Sequence, residues 1–266
     1  MTHPSDRTWA GADAYESFMG RWSRPLARKF LDWLRPVPAG HWLDVGCGTG
    51  ALTAAIFAAG EPASVLSCDP SEPFVEHARG RVSDPRVSFV VAGAENLPER
   101  EGGFDTVVSG LVLNFLPDAA RFASCVRERL RPGGSFAAYV WAYQDGMEFL
   151  KAFWEESIAL DPQALARAES LGFSLCRPEA LAALLESAGF VGVETGSLEI
   201  PTEFADFDDY WLPFLRGTGT GPNYAASLDG SSRGLLRERL RHRLAPGADG
   251  RIRLKARAWA VRGRAS

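Results

Sequence analysis

The chain has 266 residues, of which 46% are hydrophobic and 23% charged, with a formal net charge of −4. That length holds one large α/β domain or two small ones, and the composition is ordinary for a globular protein with a sizeable core. It excludes a strongly basic nucleic-acid binder, and no apolar run approaches the ~20 residues that a helical membrane span needs.

Residues 1–11 are polar and lack an apolar h-region, so no signal peptide is expected. The four cysteines (Cys47, Cys68, Cys125 and Cys176) form no C-x-x-C pair and have no histidine close by at metal spacing. A reduced, cytoplasmic protein without a metal follows. Residues 12–34 carry Tyr15, Met19, Trp22, Leu26, Phe30 and Trp33 at steps of three and four, which predicts a helix. Pro36 and Pro38 then break the chain.

The next stretch, Trp42-Leu-Asp-Val-Gly-Cys-Gly-Thr-Gly-Ala-Leu-Thr53, organises the rest. A short apolar strand runs into Gly46, Gly48 and Gly50 and then into an apolar helical segment over 51–59. Glycines at these steps let the backbone turn sharply and let a ligand lie against the main chain, while the helix start offers its free N–H groups. The spacing alone fits a dinucleotide loop as well. Two features argue against a pyrophosphate: Asp44 sits two residues before the first glycine, and no Lys or Arg occurs between Gly40 and Ala78. A phosphate-free, cationic nucleoside suits the site better. Asp69 follows an apolar run and is placed to accept ribose hydroxyls.

Further strand-like runs fall at 64–68, 87–91, 106–111 and 135–141, separated by helical segments at 73–81 and 119–130. Alternation of this kind predicts a parallel sheet with right-handed crossovers, whose ligands sit at the carboxyl ends of the strands. Asp44, Asp69, Ala94 and Asn114 all fall at or just after such ends. After Trp141, residues 145–168 and 177–187 read as helices, and 191–200 and 252–261 as two last strands. Between these strands lies a long insertion with Phe204, Phe207, Tyr210, Trp211 and Phe214 beside Asp206, Asp208 and Asp209. The run 232–244, rich in arginine around Leu236, Leu240 and Leu244, reads as an amphipathic surface helix rather than a nucleic-acid element.

Asp44-Val-Gly-Cys-Gly-Thr-Gly50, Asp69, Ala94-Glu-Asn-Leu-Pro98 and Leu130-Arg-Pro-Gly-Gly134 resemble the ordered motifs of the class I S-adenosylmethionine-dependent methyltransferases. The likeness is greatest to the small-molecule branch that includes the ubiquinone and menaquinone biosynthesis enzymes. The resemblance implies an α/β fold: a Rossmann-like seven-stranded sheet, mostly parallel with the last strand antiparallel, helices on both faces, and a cap insertion between the last two strands. It implies S-adenosylmethionine as methyl donor. By the same resemblance Asp44, Gly46, Cys47 and Gly48 hold the methionine end, Asp69 takes the ribose and Pro70 abuts the adenine. Gly93, Ala94 and Glu95 border the adenine, Leu111 to Asn114 pass beneath the sulfonium, and Tyr15, Met19 and Trp22 roof the cofactor. The helix over 12–34 can equally be plain packing on the sheet, and Glu95 can simply face solvent.

Two departures from the family pattern stand out: Gly93 replaces a common Asp, and Asn114 replaces a common His, removing an obvious general base. No Ser-His-Asp constellation occurs, and in-line methyl transfer requires none. The catalytic candidates are Asn114, Tyr143, Asp145 and Tyr210, with no spacing that selects one. The expected layout is a single domain over 1–266, with a cofactor-binding core at 40–141 and acceptor-side cap segments at 142–170 and 201–250. The aromatic face of the second segment is expected to meet an acceptor with an apolar or aromatic body. The expected protein is a monomer or homodimer that acts on a small molecule, not on nucleic acid. Two alternatives remain: a non-catalytic S-adenosylmethionine-binding module, and a nicotinamide-dependent oxidoreductase, which leaves Asp44 and the Leu-Arg-Pro-Gly-Gly turn unexplained.

Overall fold

The computed structural model of the protein describes residues 15–36, 38–168, 172–216 and 219–266. The first turn of the helix expected over 12–34, residues 169–170 of the first cap segment and residues 217–218 of the second lie outside the described residues.

Seven strands form one sheet: β1 (His41–Val45), β2 (Ser64–Asp69), β3 (Val87–Val91), β4 (Phe104–Gly110), β5 (Leu130–Trp141), β6 (Phe190–Phe204) and β7 (Ile252–Ala265). Their order is β3-β2-β1-β4-β5-β7-β6. The pairs among β1 to β5 are parallel, and β7 runs antiparallel between β5 and β6. This is the expected Rossmann-like α/β sheet.

Side-chain alternation along the strands supplies two cores. On β5, Ala137, Tyr139 and Trp141 enter one cluster while Phe136, Ala138 and Val140 enter the other. That period of two is what a sheet covered on both faces requires. The first face is covered by α1 (Arg21–Leu34) and α2 (Ala51–Ala59), and the second by α4 (Ala119–Arg129) and α6 (Pro178–Ser187). Between α2 and α4 in sequence comes α3 (Glu72–Arg81). Local chemistry sets several helix ends. Asp118 caps α4 by accepting from the Arg121 N–H at 2.8 Å, and Gly189, at φ +83°, follows α6 where a left-handed residue closes a helix.

Three segments differ from their sequence-based expectations. The N-terminal helix opens with one π-helical turn, Glu16–Gly20, ahead of α1; Pro25 inside α1 has no N–H to give the preceding turn. The helix expected over 145–168 splits into α5 (Glu148–Leu160) and a 3₁₀ turn, Pro162–Arg167. Asp161, pushed out of the helical region by Pro162, caps the new turn through the Gln163 N–H at 2.9 Å. β6 runs on past Pro201 to Phe204, which is tolerated because β6 is an edge strand with one side unpaired.

The insertion between β6 and β7 contains α7 (Phe207–Trp211), a 3₁₀ turn, α8 (Thr220–Ser227) and α9 (Gly230–Arg243). Its aromatic face is turned into protein. Tyr210, Trp211 and Phe214 are 1, 2 and 1% exposed. Phe214 stacks on Phe153 at 4.3 Å with the rings 6° from parallel and meets Phe18 edge-on at 5.0 Å. This corrects the expectation that the face meets an acceptor: aromatic area of this size is buried against Phe149 and Phe153 of α5. Most arginines of α9 pair with acids, Arg237 with Asp208 at 3.0 Å, Arg239 with Glu156 at 2.7 Å and Arg243 with Glu156 at 3.1 Å, while Arg233 donates to the Ala225 and Leu228 carbonyls at 3.0 and 2.6 Å. The amphipathic surface reading of this helix follows.

Candidate functional site

At the carboxyl end of β1 the chain turns through Gly46, Gly48 and Gly50, with φ of +73°, +51° and +83°. The Gly46 and Cys47 N–H groups both donate to the Cys68 carbonyl, at 2.8 and 2.9 Å, which folds the loop across the end of β2. A Cβ at Gly46 would run into the Val112 side chain, whereas one at Gly48 would meet nothing within 4 Å. The first glycine is therefore demanded by the neighbouring segment, and the second faces open space.

Asp69 closes β2 and is 7% exposed. Its Oδ2 accepts the Gly48 N–H at 3.0 Å and its Oδ1 the Ser71 N–H at 2.9 Å. A carboxylate offers about four lone-pair sites, so one remains on each oxygen, the pattern a vicinal diol needs. Burial pushes the Asp69 carboxyl above its usual range, against the two amide donors.

Asp44 is completely buried. Its Oδ2 accepts the Thr53 hydroxyl at 2.7 Å, and Thr53 lies 3.0 Å from Ser67 Oγ. Its Oδ1 has no partner among the described residues. Burial raises the carboxyl to about 7, helped by the negative charge of Asp69 and opposed by Thr53. A buried acid with one oxygen unsatisfied is built to receive a donor or a cation. Thr53 was missed from sequence, although it is the one polar side chain of α2.

The segment after β4 packs against β5. Gly110 packs so closely on Tyr139 that a Cβ would stand 2.5 Å from the phenol oxygen. Leu111 follows at φ +65°, left-handed backbone that costs a non-glycine residue about 1–2 kcal/mol, and its N–H donates to the Tyr139 carbonyl at 2.7 Å. Such strain clusters at functional sites. Asn114, in the 3₁₀ turn Leu113–Phe115, has a buried Nδ2 with no partner among the described residues. Next to it, the Phe115 ring lies 5.3 Å from Phe173, and Tyr143 lies 5.0 Å from Phe173.

The remaining predicted residues divide. Tyr15 is half-buried beside Phe74 at 6.0 Å, and its hydroxyl sits 2.8 Å from Ser23 Oγ; burial pushes the phenol up to about 12. Pro70 and Gly93 adjoin, a Cβ on Gly93 lying 3.6 Å from Pro70 Cβ. Ala94 is half-buried and Glu95 exposed. Met19 is buried in the core, and Trp22 packs on Phe204 at 5.3 Å within the aromatic cluster of the insertion. Asp145 is 64% exposed and pairs with Arg257 at 3.7 Å. Tyr210 donates its hydroxyl to the Phe149 carbonyl at 2.9 Å, and burial holds that phenol far above its ordinary value. His41 lies at the amino end of β1, with Nδ1 2.8 Å from Ser64 Oγ.

The open space over Gly48, the paired amides on Asp69 and the half-satisfied Asp44 fit a nucleoside that carries a positive charge and no phosphate. Fold and site together define a nucleoside-cofactor enzyme of the methyltransferase class. Residues 43–138 match the family model described as a methyltransferase domain. The chain is 30% identical over 230 residues to trans-aconitate 2-methyltransferase of Deinococcus radiodurans, covering 84% of this chain and 85% of that one. It is 31% identical over 192 residues to the mitochondrial ubiquinone biosynthesis O-methyltransferase of Homo sapiens, covering 69% of this chain and 48% of that one. A solved putative methyltransferase from an antibiotic biosynthesis pathway of Anabaena variabilis shares the fold, with TM-score 0.60 and 17% identity over 90% of this chain and 98% of that one. The chain belongs to the class I S-adenosylmethionine-dependent methyltransferases. S-adenosylmethionine is its methyl donor, and it is an enzyme.

Proposed function

We propose that the protein transfers the methyl group of S-adenosylmethionine to an oxygen of a small acceptor with an apolar or aromatic body. The observation that carries the acceptor reading is the buried Asn114 Nδ2, without a partner among the described residues, on the same turn as Phe115, whose ring joins those of Phe173 and Tyr143. An apolar wall with one unspent donor suits a flat body bearing an oxygen.

The donor supplies an electrophilic methyl on a sulfonium, and the departing thioether is neutral. What this chain contributes is placement. Asp69 offers one lone pair per oxygen to the ribose hydroxyls, Pro70 and Gly93 to Glu95 border the adenine, and Gly46 to Gly48 leave room for the methionine end. Asp44 balances the positive charge. Leu111 to Asn114 form the floor between donor and acceptor, and Tyr15 and Met19 belong to the roof. Alignment of nucleophile, methyl and sulfur with water excluded can supply several kcal/mol, up to ~7–11 in ideal cases. Asn114 has no basic atom, and the acid of the next loop, Asp145, is held on the surface by Arg257. That arrangement favours a nucleophile already ionised near neutral pH, such as a carboxylate. The relatives from Deinococcus radiodurans and Homo sapiens, a trans-aconitate methyltransferase and a ubiquinone biosynthesis methyltransferase, support a small acceptor.

In this reading residues 1–266 form one domain, with 12–34 as roof, 40–141 as cofactor core, and 142–170 and 201–250 on the acceptor side. The four cysteines are free thiols, which suits a reducing compartment such as the cytoplasm. No helix among the described residues is long and apolar enough to cross a membrane. We read the enzyme as a monomer or homodimer without a nucleic-acid partner.

The test is a panel of small carboxylic acids, phenols and amines assayed for S-adenosylhomocysteine release, with Asn114→Leu alongside. The reading predicts turnover on oxygen acceptors and a raised acceptor KM in the variant with donor affinity kept. Turnover confined to amines, or an unchanged acceptor KM, overturns it.

A further inference from the structure

Glu16 belongs to the π-helical turn that carries the chain from Tyr15 into α1, and single π turns recur at functional sites. Its carboxylate joins three elements. One oxygen accepts the Thr49 hydroxyl at 2.5 Å, in the glycine loop. The other pairs with Arg24 of α1 and, at 3.1 Å, with Arg81 at the end of α3. The carboxylate side chain is 15% exposed, against 37 and 34% for the two arginines. A Cβ on Gly20 would stand 2.8 Å from Glu16 Oε1, so the glycine at the end of the turn leaves the space into which the carboxylate folds.

The placement of these ties matters more than their strength. Arg24 alone would hold Glu16 to its own helix. Thr49 directly follows Gly48, over which the site is open, and α3 is the helix that starts just beyond Asp69. The ties to Thr49 and Arg81 therefore run from the roof to both walls of the donor site. Partly exposed ion pairs contribute little to global stability, but these span the elements that must part for a ligand to pass. Tyr15, the neighbouring residue, is carried by the same turn and packs on Phe74 of α3.

We propose that Glu16 is a clasp: a positioning residue that fastens the roof turn to the glycine loop and to α3 over bound S-adenosylmethionine, so that donor entry and product exit require its ties to Thr49 and Arg81 to break. The inference rests on the donor-site assignment above and adds a residue that touches neither reacting atom. Loosening the clasp lowers the fraction of closed protein and speeds escape, and such changes are read mainly in dissociation rates.

The experiment follows radiolabelled S-adenosylmethionine leaving the full-length protein after a chase with excess unlabelled donor. It uses the parent, Glu16→Gln, Arg81→Ala, Gly20→Ala and Asp69→Ala, with melting temperature and steady-state kinetics on each. Glu16→Gln keeps a partner for Thr49 but loses both ion pairs. It and Arg81→Ala should release donor roughly tenfold faster, raise the donor KM, and keep or raise kcat because product also leaves sooner. Gly20→Ala should keep or raise the melting temperature, as alanine normally does in a helix, yet still speed release by crowding the carboxylate. High salt, about 0.5 M, should accelerate release from the parent more than from Glu16→Gln. Release within twofold of the parent for both Glu16→Gln and Arg81→Ala overturns the clasp, as does a lowered melting temperature with unchanged release. If Asp69→Ala leaves donor binding unchanged, the donor-site assignment fails instead, and the two failures are told apart.

Discussion

Replacing Asp44 by asparagine should make the protein more stable and worse at holding its donor. Asp44 is completely buried, and its carboxyl is raised from 3.8 to about 7. A raised acid binds its proton more tightly in the folded than in the unfolded chain, so stability is full near pH 4, declines as pH rises to about 7, and is level above that. At about 1.36 kcal/mol per pKa unit, a shift of roughly three units amounts to about 4 kcal/mol of buried-charge cost at pH 8. Asparagine keeps the shape and can present its carbonyl to Thr53, which now donates to Asp44 Oδ2 at 2.7 Å. Its amide N–H₂ then stands where Oδ1 has no partner among the described residues, at a cost of about 1–3 kcal/mol. The ligand-free variant should gain a net ~1–3 kcal/mol at pH 8, or about 2–9 °C in melting temperature for a chain of this size. The gain should vanish at about pH 5–6 and turn into a deficit of about 1–3 kcal/mol near pH 4, where Asp44 is neutral and only the amide penalty remains. Donor affinity, measured by calorimetry at pH 8, should fall because a cation loses its counter-charge. Scanning calorimetry across pH 4–9 checks the first half. A variant less stable than the parent at pH 8, or one whose advantage does not change with pH, refutes the argument from buried charge.

The same titration predicts that affinity of the parent for S-adenosylmethionine weakens by up to tenfold per unit as pH falls below about 7, since protonated Asp44 no longer attracts a cation; pH-independent binding between 5 and 8 would contradict it. Asp69→Ala should weaken the donor by roughly 2–3 kcal/mol in calorimetry, because it removes charged hydrogen bonds to two hydroxyls. Gly48→Val should be at least as harmful to binding, by filling the space that is open in the parent. Tyr210→Phe should lose only the bond to the Phe149 carbonyl, about 1 kcal/mol of stability, and keep full turnover per folded molecule. Tyr210→Ala should cost about 3–5 kcal/mol; a large drop in kcat for Tyr210→Phe would return that tyrosine to the catalytic candidates.

Local chemistry was readable from the sequence, and long-range ties were not. The glycine loop, Asp44 and Asp69 declare themselves because backbone turns and strand ends leave short, ordered signatures. The alternation on β5 and the helical steps of Leu26 and Phe30 do so because burial is periodic. Proline misled in both directions. Pro201 reads as the end of a strand, yet the edge position of β6 tolerates it, while Pro162 splits a pattern that looks continuously helical. The aromatic face of α7 was visible as a face, but nothing near it says that Phe149 and Phe153, some sixty residues earlier, will cover it. Glu16 gave no signal at all. Its partners Thr49 and Arg81 lie 33 and 65 positions away, and an acid near a helix start looks like any other.

β7 is the last strand in sequence and an interior strand in space, lying between β5 and β6. Until residues 252–265 have been synthesised, β5 has a bare edge and β6 has no neighbour to join. The parallel strands β1 to β5 can assemble while translation continues, but β6 waits for the final strand. Folding of this chain is thus divided in time between the parallel strands and the antiparallel pair, and the exposed rim of β5 is the place where a nascent or truncated molecule is most open to wrong pairing.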